Sequence, residues 1–270
     1  MKSIIALTLL LLLFGSCFCQ VKICSWNIQD IGQSKSDDEI DFIANTVKDF
    51  DVLAIQEVVA KDPGGAKAIA RLAEVLNRKG SKWDYTISDA TSSSAYKAER
   101  YAFIWKTAKI TKQGDAWLEK QYNLEIDREP YFASFKTKDG KLFTLVNFHA
   151  ITKSRQPETE IKYFKYLPAE YPALDLIFCG DFNCPQSHSV FNPLKKMGYR
   201  PAFENQKTSL RQECMNGDCL ASEFDNIFYD SSKLYVLQAA IVSFYLSFPN
   251  ITEARKISDH VPVWAEIEVK

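Results

Sequence analysis

A carboxylate and an amide stand two residues apart where a strand-like segment ends. Segment 174–179 is followed directly by Gly180, Asp181, Phe182 and Asn183. Side chains alternate between the faces of a strand, so Asp181 and Asn183 are predicted to share one side while Phe182 turns into the core. Gly180 would let the backbone pass closely beneath them. Such a pair can hold a phosphate, a hydrated metal ion or an attacking water. Taken alone, the segment also fits the polar start of a loop.

Other apolar segments also stop at a polar residue of the kind that metal and phosphate chemistry uses. Three of them run directly into Asn27, Glu57 and His149, and Asp259 and His260 precede a fourth. Functional residues are often carried on loops that a rigid scaffold positions. The repetition therefore indicates one face of a sheet-built scaffold at which catalytic groups collect.

Hydrolysis of a phosphodiester needs charge neutralisation on the phosphoryl oxygens, an activated water and help for the leaving oxygen. Glu57, with Asn27 and Asp259 as direct or outer partners, offers the hard oxygen ligands that suit Mg²⁺ or Mn²⁺. A metal ion with few protein ligands keeps its waters and can bind a substrate phosphate. The strand ends therefore predict phosphoester chemistry at a metal centre.

Histidine is rare in this chain, which contains only His149, His188 and His260. Histidines placed beside acids can serve as a general acid and base near neutral pH, and His149 and His260 both fall at the strand ends named above. For His188, which lies in a turn-like segment, a structural role is the favoured interpretation.

Hydrophobic periodicity predicts the elements that position these groups. Ser36 followed by Glu39 resembles a capping box at the start of a first helix. A second helix is bounded by Pro63 and Gly80, and a third helical segment begins at Pro157. The apolar face of the second helix is predicted to comprise Ala66, Ile69, Ala70, Ala73 and Leu76. Further strands are predicted in segments 83–88, 101–106, 131–137, 142–149, 174–179, 226–229, 234–242 and 261–269.

The order of these elements indicates the fold class. Asp139 and Gly140 form a strong hairpin signal between two of the strands. Hairpins mixed with strand–helix–strand crossovers favour two packed sheets flanked by helices over a purely parallel sheet. No linker rich in proline or serine and no repeat divides the chain, so residues 20–270 are predicted to form one α/β domain.

The N-terminal segment 1–19 is predicted to be a secretory signal peptide. Lys2 precedes a short apolar run that is too brief to span a bilayer comfortably. Cleavage after Cys19 is the favoured interpretation, and lipid attachment at Cys17 is the alternative. No second long apolar run follows. The mature protein is therefore predicted to be secreted or extracytoplasmic, without a transmembrane segment.

The charge of the chain excludes a global cationic field that would attract nucleic acid. The formal net charge is −1, and it becomes −2 if Lys2 leaves with the signal peptide. Any polyanion would have to be bound by local positive charge and metal. The candidate cationic residues, for which an ordinary solvated face is the alternative, are Lys97, Arg100, Lys106, Lys109, Lys112 and, separately, Arg128.

Export would permit disulfides among the cysteines that remain after cleavage. Cys214 and Cys219 bracket a turn-like segment and form the favoured pair, with Cys184 paired to either as the alternative. Cys24 and Cys179 lie in apolar strands and are predicted to be buried thiols. The spacings do not match those of a zinc site.

Short motifs containing the candidate residues resemble those of the endonuclease/exonuclease/phosphatase superfamily, in the same order along the chain. The set covers nearly all of residues 20–270 and is most similar to the deoxyribonuclease I family. The motifs are Trp26-Asn27-Ile28, Gln56-Glu57-Val58, Tyr96-Lys97-Ala98-Glu99-Arg100-Tyr101, Arg128-Glu129-Pro130, Phe148-His149, Gly180-Asp181-Phe182-Asn183, Phe224-Asp225-Asn226 and Ser258-Asp259-His260-Val261-Pro262-Val263.

The resemblance implies a four-layered α/β sandwich, in which two packed mixed or antiparallel sheets are flanked by helices. It also implies metal-dependent cleavage of phosphodiester bonds with Mg²⁺ or Mn²⁺, and it leaves open a further Ca²⁺. Glu57 matches the principal metal-binding glutamate, and Asn27 and Asp259 complete that region.

The same resemblance assigns the acid and base groups. Glu99 matches the acid that orients a catalytic histidine, which here is His149. Asp225 is expected to orient His260 in the same way.

The remaining matches concern the substrate. Asp181 and Asn183 match the pair that handles the attacking water and the phosphate. Arg128 corresponds to a phosphate-contacting arginine, and Tyr96 to an aromatic residue that packs on a nucleotide in the minor groove.

The chain departs from the family at two positions where deoxyribonuclease I has arginine. Gln29 and Val59 stand there instead, which removes positive charge that faces DNA. Tyr96 is also separated from Glu99 by one more residue than in the family. The chemistry is therefore better supported than the specificity for duplex DNA.

The predicted function is a secreted deoxyribonuclease I-like endonuclease whose partner is DNA, with RNA as an alternative substrate. A second hypothesis is a phosphoesterase of the same fold that acts on a phospholipid or sugar phosphate. A third is a nucleic-acid-binding protein without turnover, although none of the expected acids or histidines is missing. Nothing in the sequence implies a stable protein partner, and a monomer is predicted.

Overall fold

The computed structural model of the protein describes residues 20–61, 63–93 and 98–270. The predicted signal peptide 1–19, the alternative lipidation site Cys17 and the candidate substrate-binding residue Tyr96 lie outside the described residues. The strands are β1 (Gln20–Ile31), β2 (Val52–Val59), β3 (Trp83–Ile87), β4 (Glu99–Lys106), β5 (Ile110–Leu118), β6 (Tyr131–Thr137), β7 (Leu142–His149), β8 (Leu176–Asp181), β9 (Tyr199–Pro201), β10 (Leu210–Met215), β11 (Asp218–Leu220), β12 (Asp225–Asp230), β13 (Leu234–Ile241) and β14 (Val263–Val269). The helices are α1 (Asp37–Val47), α2 (Gly64–Asn77), α3 (Glu158–Ile161), α4 (Leu167–Glu170), α5 (Asn192–Lys196) and α6 (Ile251–Ala254), with 3₁₀ turns at Lys153–Arg155, Ser189–Phe191 and Phe244–Ser247.

Within the described residues, most strands belong to two six-stranded sheets. The first sheet has the order β13-β14-β1-β2-β4-β3, and the second has the order β5-β6-β7-β8-β12-β9. β1 pairs with β2 in parallel and β7 pairs with β8 in parallel, whereas the other pairs in both sheets are antiparallel. Both sheets are therefore mixed, and β10 with β11 forms a separate hairpin.

Three apolar cores separate four layers. The central core lies between the sheets and joins side chains such as Tyr101 and Phe103 of the first sheet to Phe135 and Leu145 of the second. A second core lies under α1 and α2 on the outer face of the first sheet, and a third lies under α3, α4 and α5 on the outer face of the second sheet. The predicted four-layered α/β sandwich is confirmed.

Strands that are covered on both faces bury every side chain, which explains the apolar runs seen in the sequence. All six residues of β8 are buried. Asn147 of β7 makes polar contacts across the central core. Its Oδ1 accepts from Gln56 Nε2 of β2 at 2.5 Å, and its Nδ2 donates to the carbonyl of Ile55 of β2 at 3.0 Å. Because an amide at that depth needs a partner, these contacts tie together the two strands that carry Glu57 and His149.

The start of α1 follows the predicted capping box. The Oγ of Ser36 accepts from the backbone N–H of Glu39 at 3.2 Å, and the Glu39 carboxylate accepts from the N–H of Ser36 at 2.7 Å. These two bonds satisfy N–H groups that the first turn of a helix leaves without partners. The buried residues of α1 are Ile40, Ile43, Ala44 and Val47.

The predicted apolar face of α2 was partly wrong, because Ala66 and Ala70 are only half-buried. The face of α2 that contacts the sheet differs from the predicted one because Gly65 packs against the end of β2. A Cβ placed on Gly65 would lie 2.2 Å from the carbonyl oxygen of Val59. The buried residues of α2 are Gly64, Gly65, Ala68, Ile69, Leu72, Ala73 and Leu76.

The predicted Asp139-Gly140 hairpin and the favoured Cys214–Cys219 disulfide are confirmed. Strands β6 and β7 pair in antiparallel fashion around the Asp139-Gly140 turn, and Cys214 and Cys219 form a disulfide across the tip of the β10–β11 hairpin. Cys24 and Cys179 are buried free thiols, as is Cys184, the alternative disulfide partner. In the described residues, none of the helices has the length and hydropathy required to cross a membrane.

Candidate active site

The candidate residues meet because, at one edge of the second sheet, β7 and β8 end and the neighbouring antiparallel strand β12 begins. His149 of β7 stands beside Asp181 of β8 in the parallel register, and Asp225 of β12 stands beside Asp181 on the other side. Gly180 makes this edge possible. Its φ is +141°, and a Cβ there would lie 1.8 Å from the carbonyl oxygen of Phe148. Only glycine permits so close an approach of the two strands.

His149 and Glu99 form the first acid–histidine pair. Both carboxylate oxygens of Glu99 lie 3.0 Å from His149 Nδ1. The opposite ring nitrogen, Nε2, lies 3.4 Å from Asp181 Oδ2. The Glu99 carboxylate therefore fixes the His149 ring and directs its Nε2 toward Asp181.

His260 and Asp225 form the second pair. Asp225 Oδ2 lies 2.7 Å from His260 Nδ1, and His260 Nε2 lies 3.6 Å from Asp181 Oδ2. The same oxygen of Asp181 thus stands between the Nε2 atoms of two imidazoles, each supported from behind by a carboxylate. This arrangement can exchange protons with a water or phosphate oxygen bound at its centre.

Burial and charge act in opposite directions on these groups. Burial disfavours the charged form of His149, but the Glu99 carboxylate outweighs it and raises the pKa of the imidazole above its ordinary value. Burial opposes protonation of His260 as well, yet Asp225 and then Asp181 raise its pKa well above the usual range. For Asp181, burial is outweighed by His260 and His149, which lower the carboxyl pKa. Asp181 is therefore ionised between two histidines that favour their protonated forms.

Glu57 reaches the same place from the first sheet through an irregular backbone. The pairing of β2 with β4 shifts register between Ile55 and Val58, and Glu57 within this bulge has a φ of +59°. A left-handed conformation at a residue other than glycine costs about 1–3 kcal/mol and is concentrated at functional sites. The bulge aims the Glu57 carboxylate at the rim, where Oε1 lies 4.0 Å from His149 Nε2.

Asn27 connects Glu57 to Asp181. Its Nδ2 donates to Glu57 Oε1 at 2.8 Å and to Asp181 Oδ2 at 3.3 Å. Its Oδ1 is buried and has no hydrogen-bond partner among the described residues. A buried amide oxygen without a donor, next to a carboxylate, suits a hard divalent cation. The residues Glu57 and Asn27 therefore fit the metal that the sequence predicts.

The surroundings of Glu57 show how its charge is controlled. The backbone N–H of Asp30 donates to Glu57 Oε2 at 3.2 Å. Burial raises the pKa of the Glu57 carboxyl above its ordinary value, with His149 acting against it. A bound cation would favour the ionised form that burial disfavours.

Asp259 lies at the edge of this region. Its Oδ2 is 3.4 Å from Arg255 Nη2, and its charge contributes to the raised pKa of Glu57. The loop that carries it is tied to β1, because Ser258 Oγ donates to the carbonyl of Asn27 at 2.6 Å. The structure thus gives Asp259 a cationic partner and places it in the electrostatic neighbourhood of Glu57.

A second arrangement of possible ligands lies deeper. The ligand atoms of Asp181, Asp225 and His260 all fall within 4.8 Å of one another, and the three residues are buried. This geometry can hold either a metal ion or the protonated imidazole described above.

Asn183 and Arg128 both bind the backbone that follows His149. Asn183 Nδ2 donates to the carbonyl of Ala150 at 3.1 Å, and the Arg128 guanidinium also donates to that carbonyl. Arg128 Nε donates to the carbonyl of His149 at 3.0 Å, and Nη1 lies 3.4 Å from Glu99 Oε2. Asn183 has a φ of +49°, and its backbone N–H donates to Asp181 Oδ1 at 2.9 Å.

A cleft of about 470 Å³ opens onto the side of the site that carries His149 and gives a substrate access to it. Glu57, Glu99, Arg128 and His149 lie along it. The other lining residues are Asp30, Val58, Val59, Ala60, Lys61, Ala98, Asp127, Ile151, Thr152 and Arg155.

A family model described as "Endonuclease/Exonuclease/phosphatase family" matches residues 24–260. The chain belongs to the endonuclease/exonuclease/phosphatase family. The match includes both acid–histidine pairs, and it confirms the resemblance carried by the sequence motifs. A member of this family is a hydrolase that acts on phosphodiester or related phosphoester bonds.

Two curated relatives are deoxyribonucleases. A deoxyribonuclease of Thioalkalivibrio sp. (strain K90mix) is 28% identical over 99% of this chain and 76% of its own length. Deoxyribonuclease gamma of Homo sapiens is 26% identical over 97% of this chain and 91% of its own length.

Two solved structures share the fold of this family member. The human Nocturnin catalytic domain with bound sulfate has a TM-score of 0.66 and 16% identity, and the alignment covers 94% of this chain and 96% of Nocturnin. The mannosyl-6-phosphatase Bt3783 of Bacteroides thetaiotaomicron VPI-5482 has a TM-score of 0.61 and 20% identity, with coverage of 92% and 99%. At these identities the likeness concerns the fold alone.

The structure adds supporting residues of this family member that the sequence did not reveal. Thr208 Oγ1 donates to Asp225 Oδ2 at 2.6 Å and accepts from the backbone N–H of Asp225 at 3.0 Å. Thr208 lies in a loop without periodicity, so its sequence context carried no signal. Glu160 is a second such residue, but its sequence context did carry a signal. It stands beside the buried Ile161 in the apolar pattern of α3, and an acid at a buried position needs a polar partner.

Proposed function

We propose that this chain is a metal-dependent endonuclease that hydrolyses the phosphodiester bonds of DNA outside the cytoplasm. One observation carries the proposal. Asp181 Oδ2 stands 3.4 Å and 3.6 Å from the Nε2 atoms of His149 and His260, each of which has a carboxylate behind it. Complete acid–histidine pairs on both sides of one carboxylate favour an enzyme over a binding protein without turnover.

The acids and the histidines have separate roles in an in-line displacement at phosphorus. Ionised Asp181 orients the attacking water and accepts its proton, and the N–H of Asn183 holds the Asp181 carboxylate in place. The imidazolium forms of His149 and His260 donate to a non-bridging oxygen and to the leaving oxygen. Glu99 and Asp225 keep these rings oriented and favour their protonated forms.

The metal would be held chiefly by Glu57, with Asn27 as a partner and Asp259 as an outer acid. When bound, Mg²⁺ or Mn²⁺ neutralises charge on the phosphoryl oxygens. The carboxylate and the unpartnered amide oxygen are hard ligands that suit these ions better than softer metals. Arg128, whose guanidinium lies along the cleft, adds positive charge near the phosphate.

Export rests on the predicted signal peptide, residues 1–19, and is supported by the Cys214–Cys219 disulfide, since disulfides persist in oxidising compartments. Cleavage of the signal can be checked by N-terminal sequencing of protein recovered from the medium. An N-terminus at Gln20 would support secretion, and a lipid-modified Cys17 would support membrane tethering.

A second candidate is a phosphoesterase of the same fold that acts on a small phosphate ester. The observation that favours it is the loss of DNA-facing charge, since Val59 lines the cleft where deoxyribonuclease I carries an arginine. The mannosyl-6-phosphatase of the same fold shows that this scaffold accommodates such substrates in another protein.

The deciding experiment incubates the purified protein with plasmid DNA, RNA and bis-p-nitrophenyl phosphate, each with Mg²⁺ or with a chelator. Nicking of the plasmid that requires Mg²⁺ is the expected result. Release of nitrophenol from the small diester without nicking of DNA would instead support the second candidate. Cleavage that persists in the chelator would contradict metal dependence.

A further inference from the structure

A second cleft continues the active-site cleft on the side of the loop before Arg128. It has a volume of about 280 Å³ and shares Asp127, Ile151 and Arg155 with the active-site cleft. The two spaces therefore form one groove that leads away from His149. None of the chemical roles assigned above uses the far part of this groove.

The second cleft has a cationic side chain where it joins the active-site cleft, and polar and exposed apolar side chains beyond that point. Arg155 belongs to an exposed 3₁₀ turn, and its guanidinium forms no hydrogen bond or ion pair with the described residues. Leu124 is 92% exposed, the largest value for any large apolar side chain in the described ranges. Ser92 and Asn123 line the same space.

The floor of the groove is fixed by one buried carboxylate. Glu160 of α3 is 2% exposed, and its two oxygens accept from the backbone N–H groups of Asp127 at 2.7 Å and Ile151 at 2.9 Å. These two segments precede Arg128 and follow His149. The groove is thus held in a fixed position relative to the reacting centre.

We propose that this part of the groove is a subsite for the nucleotide next to the scissile phosphate. Arg155 binds the phosphate of that nucleotide, and Leu124 packs against its base. The acids Glu125, Asp127 and Glu160 also line the cleft, and Arg155 is the one cationic residue among its described lining residues. The phosphate is therefore favoured at Arg155, and the uncharged base is favoured at Leu124. The proposal rests on the proposed nuclease function, and it supplies phosphate-binding charge that Gln29 and Val59 do not.

The test compares Arg155→Ala and Leu124→Ala with two matched controls. Arg200→Ala removes an exposed arginine, and Leu246→Ala removes a leucine that is 74% exposed. Neither control residue lines the two clefts. KM and kcat are measured for a DNA oligonucleotide and for bis-p-nitrophenyl phosphate, which has no second nucleotide.

Arg155→Ala is expected to raise KM for the oligonucleotide about three- to tenfold relative to KM for the small diester. The slope of log KM against log salt should fall by about 0.7–0.9, the contribution of one phosphate contact. Leu124→Ala should raise the same KM ratio about two- to threefold without changing the salt slope. Both controls should match the wild type.

An unchanged KM ratio and salt slope in Arg155→Ala, in a wild-type enzyme that cleaves DNA, would refute the subsite and leave the nuclease function standing. A wild-type protein that hydrolyses the small diester but no polynucleotide would refute both proposals. An equal rise in KM for both substrates would show that Arg155 acts at the scissile phosphate and would also overturn the subsite.

Discussion

Substitution of Thr208 tests whether this residue positions the second acid–histidine pair, Asp225 and His260. It is fully buried, and its Oγ1 donates to Asp225 Oδ2 at 2.6 Å. Thr208 Oγ1 also accepts from the backbone N–H groups of Asp225 at 3.0 Å and Phe224 at 3.1 Å. Thr208→Val keeps the shape of the side chain and removes all three contacts. Asp225 would then hold His260 without its own support.

The structure sets the size of the effect. The lost hydrogen bond to a carboxylate is worth about 1.5–3 kcal/mol, and buried N–H groups left without an acceptor add about 1–3 kcal/mol. The free energy of unfolding should fall by about 3–5 kcal/mol, which corresponds to a Tm lower by about 6–20 °C for a domain of this size. A displacement of the pair by about 1 Å would lower kcat by up to about 100-fold.

The assay separates positioning from stability by means of Thr208→Ser, which retains the hydroxyl. Both variants are assayed well below their Tm, with kcat and KM determined on the small diester. Thr208→Ser is expected to stay near the wild type, whereas Thr208→Val should lose kcat with little change in KM. If the two variants have kcat values within about twofold of each other, the reasoning that Thr208 positions Asp225 and His260 is refuted.

Three further predictions concern the centre of the site. His149→Ala and His260→Ala should each lower kcat by about two or more orders of magnitude with an unchanged circular dichroism spectrum, and near-normal turnover in both would contradict the mechanism. The pKa values of both histidines are raised by their acids once burial is overcome, so activity should persist through neutral pH and fall on the alkaline side. The raised pKa values also mean that the two pairs stabilise the folded state. This stabilisation is complete below the ordinary histidine pKa and is lost as pH rises through the raised values, which measurements of unfolding against pH would show. Gly180→Ala should prevent correct folding or lower the Tm steeply, because its Cβ would lie 1.8 Å from the carbonyl oxygen of Phe148, and a Tm within about 2 °C of the wild type would disprove this steric account.

Local rules were sufficient for much of the fold. The capping box at Ser36, the Asp139-Gly140 hairpin and the Cys214–Cys219 pair depend on residues close in sequence, and all three are present in the structure. Other features were missed because they lack a clear local pattern or depend on contacts between distant parts of the chain. Strand β5 (Ile110–Leu118) is an edge strand that buries few side chains and lacks clear alternation, and the buried face of α2 is set by contact with β2.

The sequence by itself determined which residue types stand at the strand ends, because alternation and polarity are local properties of the chain. It therefore identified Asn27, Glu57, His149 and Asp181 as groups for phosphoester chemistry. Only the tertiary structure brought Asp181 Oδ2 between two imidazoles and placed Thr208 behind Asp225. Contacts of this kind join residues that are far apart along the chain, and their geometry depends on sheet register and on the close approach that Gly180 allows.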